Sequence, residues 1–255
     1  MTDKREENIK IKRTVKWLTE KVKESKTKGL LVGVSGGVDS AVVAFLIKKV
    51  LPEGSMGIIM PCGSGKTDME DAWEVVRACG IKAVEIDLTA VHETLTRRVL
   101  AEISDIRDVD GDYDRMARAN LKARLRMSTL YAVANSMNYL VVGTDNAAEV
   151  YVGYFTKYGD GGVDLLPIAH IKKREVRKWA RILGVPDKII QKTPSAGLWE
   201  GQTDEKEMGT TYDMVDDFLE GKAIPEKDRR VIERLHRVSE HKRNIPTSPP
   251  REWYE

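Results

Sequence analysis

Residues 30–34, Leu-Leu-Val-Gly-Val, run directly into Ser35-Gly36-Gly37-Val38-Asp39-Ser40, and a second apolar run follows from Ala41 to Ile47. The first run reads as a short buried strand and the second as a helix. A strand that enters a helix through paired glycines makes an anion cradle. The glycines let the backbone approach a phosphate, and the free N–H groups and dipole of the helix start favour negative charge. Ser35 and Ser40 add hydroxyl donors, and Asp39 adds a carboxylate of the kind that holds a magnesium ion.

Strands and helices then alternate. Strands are expected at 30–34, 56–60, 82–87 and 139–143, and helices at 39–50, 67–79, 89–104 and 114–137. An amphipathic helix over 5–27, with Ile11, Val15, Leu18 and Val22 at helical spacing, precedes them. This order predicts an α/β fold with a doubly wound parallel sheet flanked by helices. In such sheets ligands bind beyond the carboxyl ends of the strands, where Ser35 and Thr144 fall. The 114–137 helix carries an apolar stripe, Met116, Ala119, Ala123, Met127, Leu130, Ala134 and Met137, expected to face the core. Asn120, Arg124 and Arg126 lie off that stripe. A last helix over 226–243 is expected to turn Val231, Leu235 and Val238 inward. Two loops, 61–67 and 192–205, are rich in Gly, Pro and Ser.

The bulk of the chain excludes several classes. With 255 residues it has room for one full core. The 42 basic and 40 acidic residues nearly cancel, so nothing suggests a nucleic-acid coat. Cys62 and Cys79 are too few and too far apart for a zinc site or redox pair, and His92, His170 and His236 show no ligand spacing. No signal peptide or long apolar run is present, which predicts a cytoplasmic protein without a membrane span. Gly65-Lys66-Thr67 imitates the end of a Walker A loop, but position 60 is Met where that pattern needs glycine.

From Val142 the chain reads VGTDNAAEVYVGYFTKYGDGGVDLLPI, dense in polar groups and glycines with little apolar periodicity. Ser-Gly-Gly-x-Asp-Ser after a strand resembles the pyrophosphate loop of enzymes that split ATP into AMP and pyrophosphate. Taken with GYFTKYGDGG, NLKARLRM (Asn120 to Met127), PSAGLWEGQTDE (Pro194 to Glu205) and the closing EHKR (Glu240 to Arg243), the chain resembles the ammonia-dependent NAD+ synthetases from about residue 10 to 243. That resemblance implies a Rossmann-like, adenine nucleotide alpha-hydrolase-like fold. It implies a single synthetase domain over 1–255, without a glutamine amidase domain. The reaction is amidation of deamido-NAD+ with free ammonia. ATP first adenylates the nicotinate carboxylate and releases pyrophosphate; ammonia then displaces AMP.

By the same resemblance Gly33, Val34, Ser35, Gly36, Gly37, Val38, Asp39 and Ser40 hold ATP, joined by Thr144, Lys173 and Ser195. Asp39 and Glu149 bind magnesium. Arg124, Tyr154, Lys157, Asp164, His241 and Lys242 contact deamido-NAD+, with Tyr154 stacking on the nicotinate ring. Asp160 and Lys173 are the catalytic candidates, Asp160 to bind ammonium and take its proton. Lys172 competes with Lys173 for its role. Ile58-Ile59-Met60 departs from the family, which places an arginine near the ATP there; Lys66 is a candidate substitute. Family members are homodimers, and the 114–137 helix with its neighbour after Ala147 is the expected interface.

Overall fold

A computed structural model describes residues 2–104, 106, 111–195, 197, 199 and 201–254. Four parallel strands, β1 (Gly29–Gly33), β2 (Ser55–Ile59), β3 (Lys82–Glu85) and β4 (Tyr139–Val141), lie in the order β3-β2-β1-β4. Side chains alternate across the sheet, as the two-residue period of a strand requires. Leu30, Val32 and Ile59 enter one core with α1 (Thr2–Ser25), α2 (Val38–Val50), α3 (Lys66–Cys79), α7 (Lys173–Leu183) and α8 (Asp187–Gln191). Leu31, Ile58 and Val141 enter the other with α5 (Gly111–Met137), whose Leu130 and Ala134 cover them. The sheet is thus covered on both faces, as the alternation predicts. β3, at the edge, is largely exposed.

The chain leaves β1 for β2 and β3 on one side, then returns through α4 (Thr89–Glu102) and α5 to place β4 on the other. The connections therefore diverge between β1 and β4. That switch point opens a crevice at the carboxyl rim of the sheet. α5 has 27 residues, about 40 Å at 1.5 Å per residue, against strands of three to five residues. Its C-terminus leads into the start of β4, so its N-terminal half overhangs that rim.

A third core lies beside the rim. Ala148 and Val152 of α6 (Ala147–Val152) pack with Met208 of α9 (Asp204–Met208), Tyr212 and Val215 of α10 (Tyr212–Leu219) and Ile232 of α11 (Glu226–Val238). This covers the apolar side of α6, the expected interface neighbour. The expected 226–243 helix breaks at Ser239, whose Oγ donates to Leu235 O at 2.6 Å; α12 (Glu240–Arg243) follows. Leu235 packs partly buried against the third core as expected, but the fully buried residue is Ile232, and Val238 is 57% exposed. On α5 the expected stripe holds at Ala119, Ala123, Leu130 and Ala134, but Met116 is 48% exposed. Among the described residues no helix is long and apolar enough to cross a membrane.

Candidate active site

The turn after β1 is held by its own hydroxyls. Ser40 Oγ donates to Gly37 O at 3.0 Å and lies 3.1 Å from Ser35 Oγ, and Gly37 N donates to Ser35 Oγ at 3.3 Å. Gly36 has φ +79°, and a Cβ there would fall 2.8 Å from Ala72 N and from Asp71 Cβ. Only glycine lets the loop lie this close to α3. Gly37 caps α2 without a side chain, so the first N–H groups of the helix face the crevice as an anion site.

Asp39 sits in the first turn of α2 and meets two residues from other elements. Lys173 Nζ donates to its Oδ2 at 2.5 Å, and Asn146 Nδ2 donates to its Oδ1 at 2.9 Å. Asn146 is the N-cap of α6; its Oδ1 accepts from Ala148 N and Glu149 N, and Glu149 Oε2 accepts from Asn146 N. This reciprocal cap fixes the Glu149 side chain, whose Oε1 accepts from Lys173 Nζ at 3.3 Å. Lys173, 2% exposed, opens α7, and Asp216 fixes that helix start by accepting from Lys173 N and Arg174 N. Lys172 points elsewhere, to Glu220 at 2.6 Å. Of the two lysines, Lys173 is the one that meets Asp39 and Glu149.

Burial pushes the Glu149 pKa up to about 7, against the pull of Lys173. Burial alone would lower the pKa of Lys173, but Asp39 and Glu149 overcome it and hold the ammonium charged. Tyr212 Oη lies 2.8 Å from both Glu149 Oε1 and Asp204 Oδ2. One hydroxyl proton serves two carboxyls, so only one of them accepts it at a time. The other oxygen of Asp204, Oδ1, is buried without a partner. Asp145, after Thr144 at the end of β4, is also buried, and its pKa is driven well up by lost hydration with Asp160, Glu149 and Asp39 nearby. Asp145, Asn146, Asp204 and Tyr212 were missed from the sequence. Only Asn146 carried a local signal, its Asn-x-x-Glu capping spacing.

The 153–164 segment lines the other side. Its Gly159 closes on α5 so tightly that a Cβ would lie within 2.9 Å of Ala123 and Thr156. Thr156 Oγ1 donates to Asn120 Oδ1 at 2.8 Å, and Arg124 Nη2 donates to Lys157 O at 3.4 Å. Asp160 Oδ1 accepts from Thr156 N at 2.9 Å; the residue is exposed, yet surrounding protein strips enough water to raise its pKa. Tyr154 Oη donates to Glu207, which Gln202 Nε2 also meets at 2.5 Å. Lys242 Nζ donates to Gly153 O and Phe155 O at 2.8 and 2.7 Å, while Lys157 Nζ donates to His241 O. These lysines clamp the segment to α12. Asp164 accepts from Tyr131 Oη and Val141 N at 3.0 and 2.8 Å, so it is anchored at the sheet.

Ser195 is exposed and its Oγ accepts from Gly197 N at 3.2 Å. Ala196, Leu198 and Glu200 of the 192–205 loop lie outside the described residues. Lys66 is exposed, with Glu70 3.9 Å away. Arg126 of α5 reaches the strand end, its Nε donating to Met60 O at 3.3 Å.

Asp39 and Glu149 present carboxylate oxygens around one ammonium, the donor type that magnesium takes. Among the described residues no group of three or more His, Cys, Asp or Glu closes around one point. A magnesium shell here would be completed by phosphate oxygens and water, as is usual for this ion.

A Gly-rich turn at a switch point, with a carboxylate-rich centre around one buried lysine beside it, places the chain among α/β proteins that hold nucleotide phosphates on the backbone of the first βα turn. The profile of the NAD synthase family matches residues 10–246, and the chain belongs to that family. It is 59% identical over 249 residues to the NH(3)-dependent NAD(+) synthetase of Alkaliphilus oremlandii, covering 98% of this chain and 99% of the relative. Among solved structures it resembles the NMN synthetase of Francisella tularensis with a TM-score of 0.87 at 39% identity, covering 95% of this chain and 98% of that one. It resembles the NH3-dependent NAD synthetase of Campylobacter jejuni with a TM-score of 0.75 at 26% identity, covering 96% and 99%.

Proposed function

We infer that this chain catalyses the ATP-dependent amidation of deamido-NAD+ with ammonia, giving NAD+, AMP and pyrophosphate. The observation that carries this reading is the Asp39–Lys173–Glu149 centre directly beside the phosphate turn. A nicotinate carboxylate is a poor electrophile, so it must attack the α-phosphorus of ATP and expel pyrophosphate. The Gly33–Ser40 turn and the Thr144 side of the crevice hold ATP. Magnesium at Asp39 and Glu149 supplies charge neutralisation when bound. Lys173 stabilises the charge that develops on the departing pyrophosphate, and the Ser195 hydroxyl donates to a phosphate oxygen.

In the second step ammonium meets Asp160, which takes a proton. The freed nitrogen lone pair forms the C–N bond at the acyl carbon. The C–O bond to AMP breaks and its electron pair leaves with AMP, while the attached nitrogen sheds its second proton to the departing phosphate oxygen or to solvent. Tyr154 and Arg124 position the acceptor, with Lys157, Asp164, His241 and Lys242 around it. We place the protein in the cytoplasm as a homodimer, with the exposed apolar residues Val91, Leu95 and Val99 of α4 and Met116 of α5 available for contact. The 1–255 stretch acts as one synthetase domain, with free ammonia as the nitrogen source.

The likeness to an NMN synthetase supports a second reading, in which the acceptor is nicotinic acid mononucleotide. Both acceptors share the carboxylate and differ in the adenylate half. The test is kcat/KM for each acceptor with ATP, magnesium and ammonium, following amide product and AMP. A preference for deamido-NAD+ supports the first reading; a preference for the mononucleotide transfers the function to the second. ADP in place of AMP excludes both.

A further inference from the structure

The two polar flanks of α5 face different neighbours. On one, Asn120, Arg124 and Tyr131 meet the 153–164 segment. On the other, Arg115, Arg118, Lys122 and Arg126 recur at steps of three and four, forming one basic stripe. At the outer end of that stripe α4 and α5 bound a cavity of about 320 Å³, lined by His92, Glu93, Thr96, Arg97, Leu100 and Arg118. None of these residues takes part in the reaction derived above.

Thr96 carries the inference. It is 8% exposed, and its Oγ1 is buried without a hydrogen-bond partner. A threonine inside a helix commonly returns its hydroxyl to the carbonyl one turn back. Thr96 does not, and an unpaired buried hydroxyl is destabilising. His92 braces the walls, its Nε2 lying 3.0 Å from Arg118 O. Among the described lining residues Glu93 is the one acid, against the guanidinium groups of Arg97 and Arg118. An adjoining cavity of about 290 Å³ shares His92, Glu93 and Arg118 and adds Arg115 and Lys122. The charge balance therefore favours an anion, and the orphan hydroxyl supplies a neutral donor beside the two guanidinium forks.

We propose that this α4–α5 cavity is a second anion site, separate from the phosphate turn at β1, and that it takes a phosphate dianion with Thr96 Oγ1 and the Arg97 and Arg118 guanidinium groups as donors. The phosphate comes either free, as orthophosphate, or on a mononucleotide such as AMP. This assignment stands independently of which acceptor the enzyme amidates.

The test uses the full chain, with the catalytic crevice saturated by a non-hydrolysable ATP analogue and magnesium. Orthophosphate and AMP are then titrated in separate arms by calorimetry and by thermal melting. Orthophosphate is expected to raise the melting midpoint. A tighter fit for AMP assigns the site to a nucleotide, and equal or weaker AMP binding assigns it to the free ion. Arg97→Glu should weaken phosphate binding at least tenfold. Thr96→Val removes the orphan hydroxyl at constant shape, so it should raise the midpoint without phosphate while weakening phosphate binding. These opposite signs separate a ligand site from a packing role. No phosphate response in the saturated wild type overturns the proposal. So does an equal response in wild type and both variants, which means an adventitious ion only. A lowered midpoint in phosphate-free Thr96→Val also overturns it.

Discussion

Lys172 and Lys173 adjoin in sequence and sit in opposite environments, so replacing each in turn isolates what burial does to a charge. Lys173→Met keeps most of the stem volume and deletes an ammonium that is 2% exposed and shared by Asp39 at 2.5 Å and Glu149 at 3.3 Å. Breaking a buried ion pair from one side costs about 3–5 kcal/mol, because the abandoned charge stays desolvated. Two carboxylates are abandoned here, which puts the loss at pH 8 in the upper half of that range. Glu149 already has its pKa raised to about 7, so on acidification it takes a proton and replaces the lost cation. The loss should then shrink to roughly 1–2 kcal/mol at pH 5.5, following the ~1.4 kcal/mol carried by each pKa unit. For a chain of this size each kcal/mol moves the melting midpoint by about 2–4 °C, so the deficit at pH 8 is about 8–20 °C. Lys172→Met removes a more exposed pair with Glu220, worth about 0–1 kcal/mol. Thermal denaturation of the two variants at both pH values is the assay. Equal destabilisation by the two variants, or a Lys173→Met deficit that grows in acid, would refute the reasoning.

Glu149→Gln reports the same centre by linkage. A carboxyl whose folded pKa is raised from 4.5 to about 7 binds its proton more tightly when folded, so its contribution to stability falls as pH rises through that window. The stability of Glu149→Gln relative to wild type should therefore climb between pH 4.5 and 7, by at most about 3 kcal/mol; a relative stability that drops over that window contradicts the assignment. Gly36→Ala puts a Cβ 2.8 Å from Ala72 N at a φ of +79°, and strain of this kind costs roughly 1–3 kcal/mol. Urea denaturation should show that loss together with weakened ATP binding, and wild-type ATP affinity in a folded Gly36→Ala would count against the loop as the phosphate site.

What could be read in the sequence was what is local. The Ser35–Ser40 turn needs only adjacent residues and a strand before them, and it forms as expected. The continuous apolar runs read as buried strands, and Leu30 and Leu31 enter different cores, one on each face of the sheet. Long-range pairings were hidden. Asp204 and Tyr212 reach Glu149 only because a third core brings α9 and α10 beside α6. Lys172 and Lys173 are chemically alike, and only the docking of α7 on Asp216 decides which one faces inward. Arg126 reaches the Ile58–Met60 strand end from α5, which no inspection of that strand reveals. On the 226–238 helix Leu235 packs on the third core as expected, but the fully buried residue is Ile232, one position past Val231, and Val238 lies exposed in the last turn before Ser239. The resemblance assigns Lys157 and Lys242 to an anionic acceptor, and their nitrogens also satisfy backbone carbonyls that tie the 153–164 segment to α12.

Isotope exchange between labelled pyrophosphate and ATP tests most directly whether a carboxylate is adenylated at the β1 turn. With deamido-NAD+ and magnesium present and ammonia withheld, label should enter ATP, and omission of deamido-NAD+ or the Asp39→Ala replacement should stop it. Exchange that runs without any acceptor, or survives Asp39→Ala at the wild-type rate, would contradict the account.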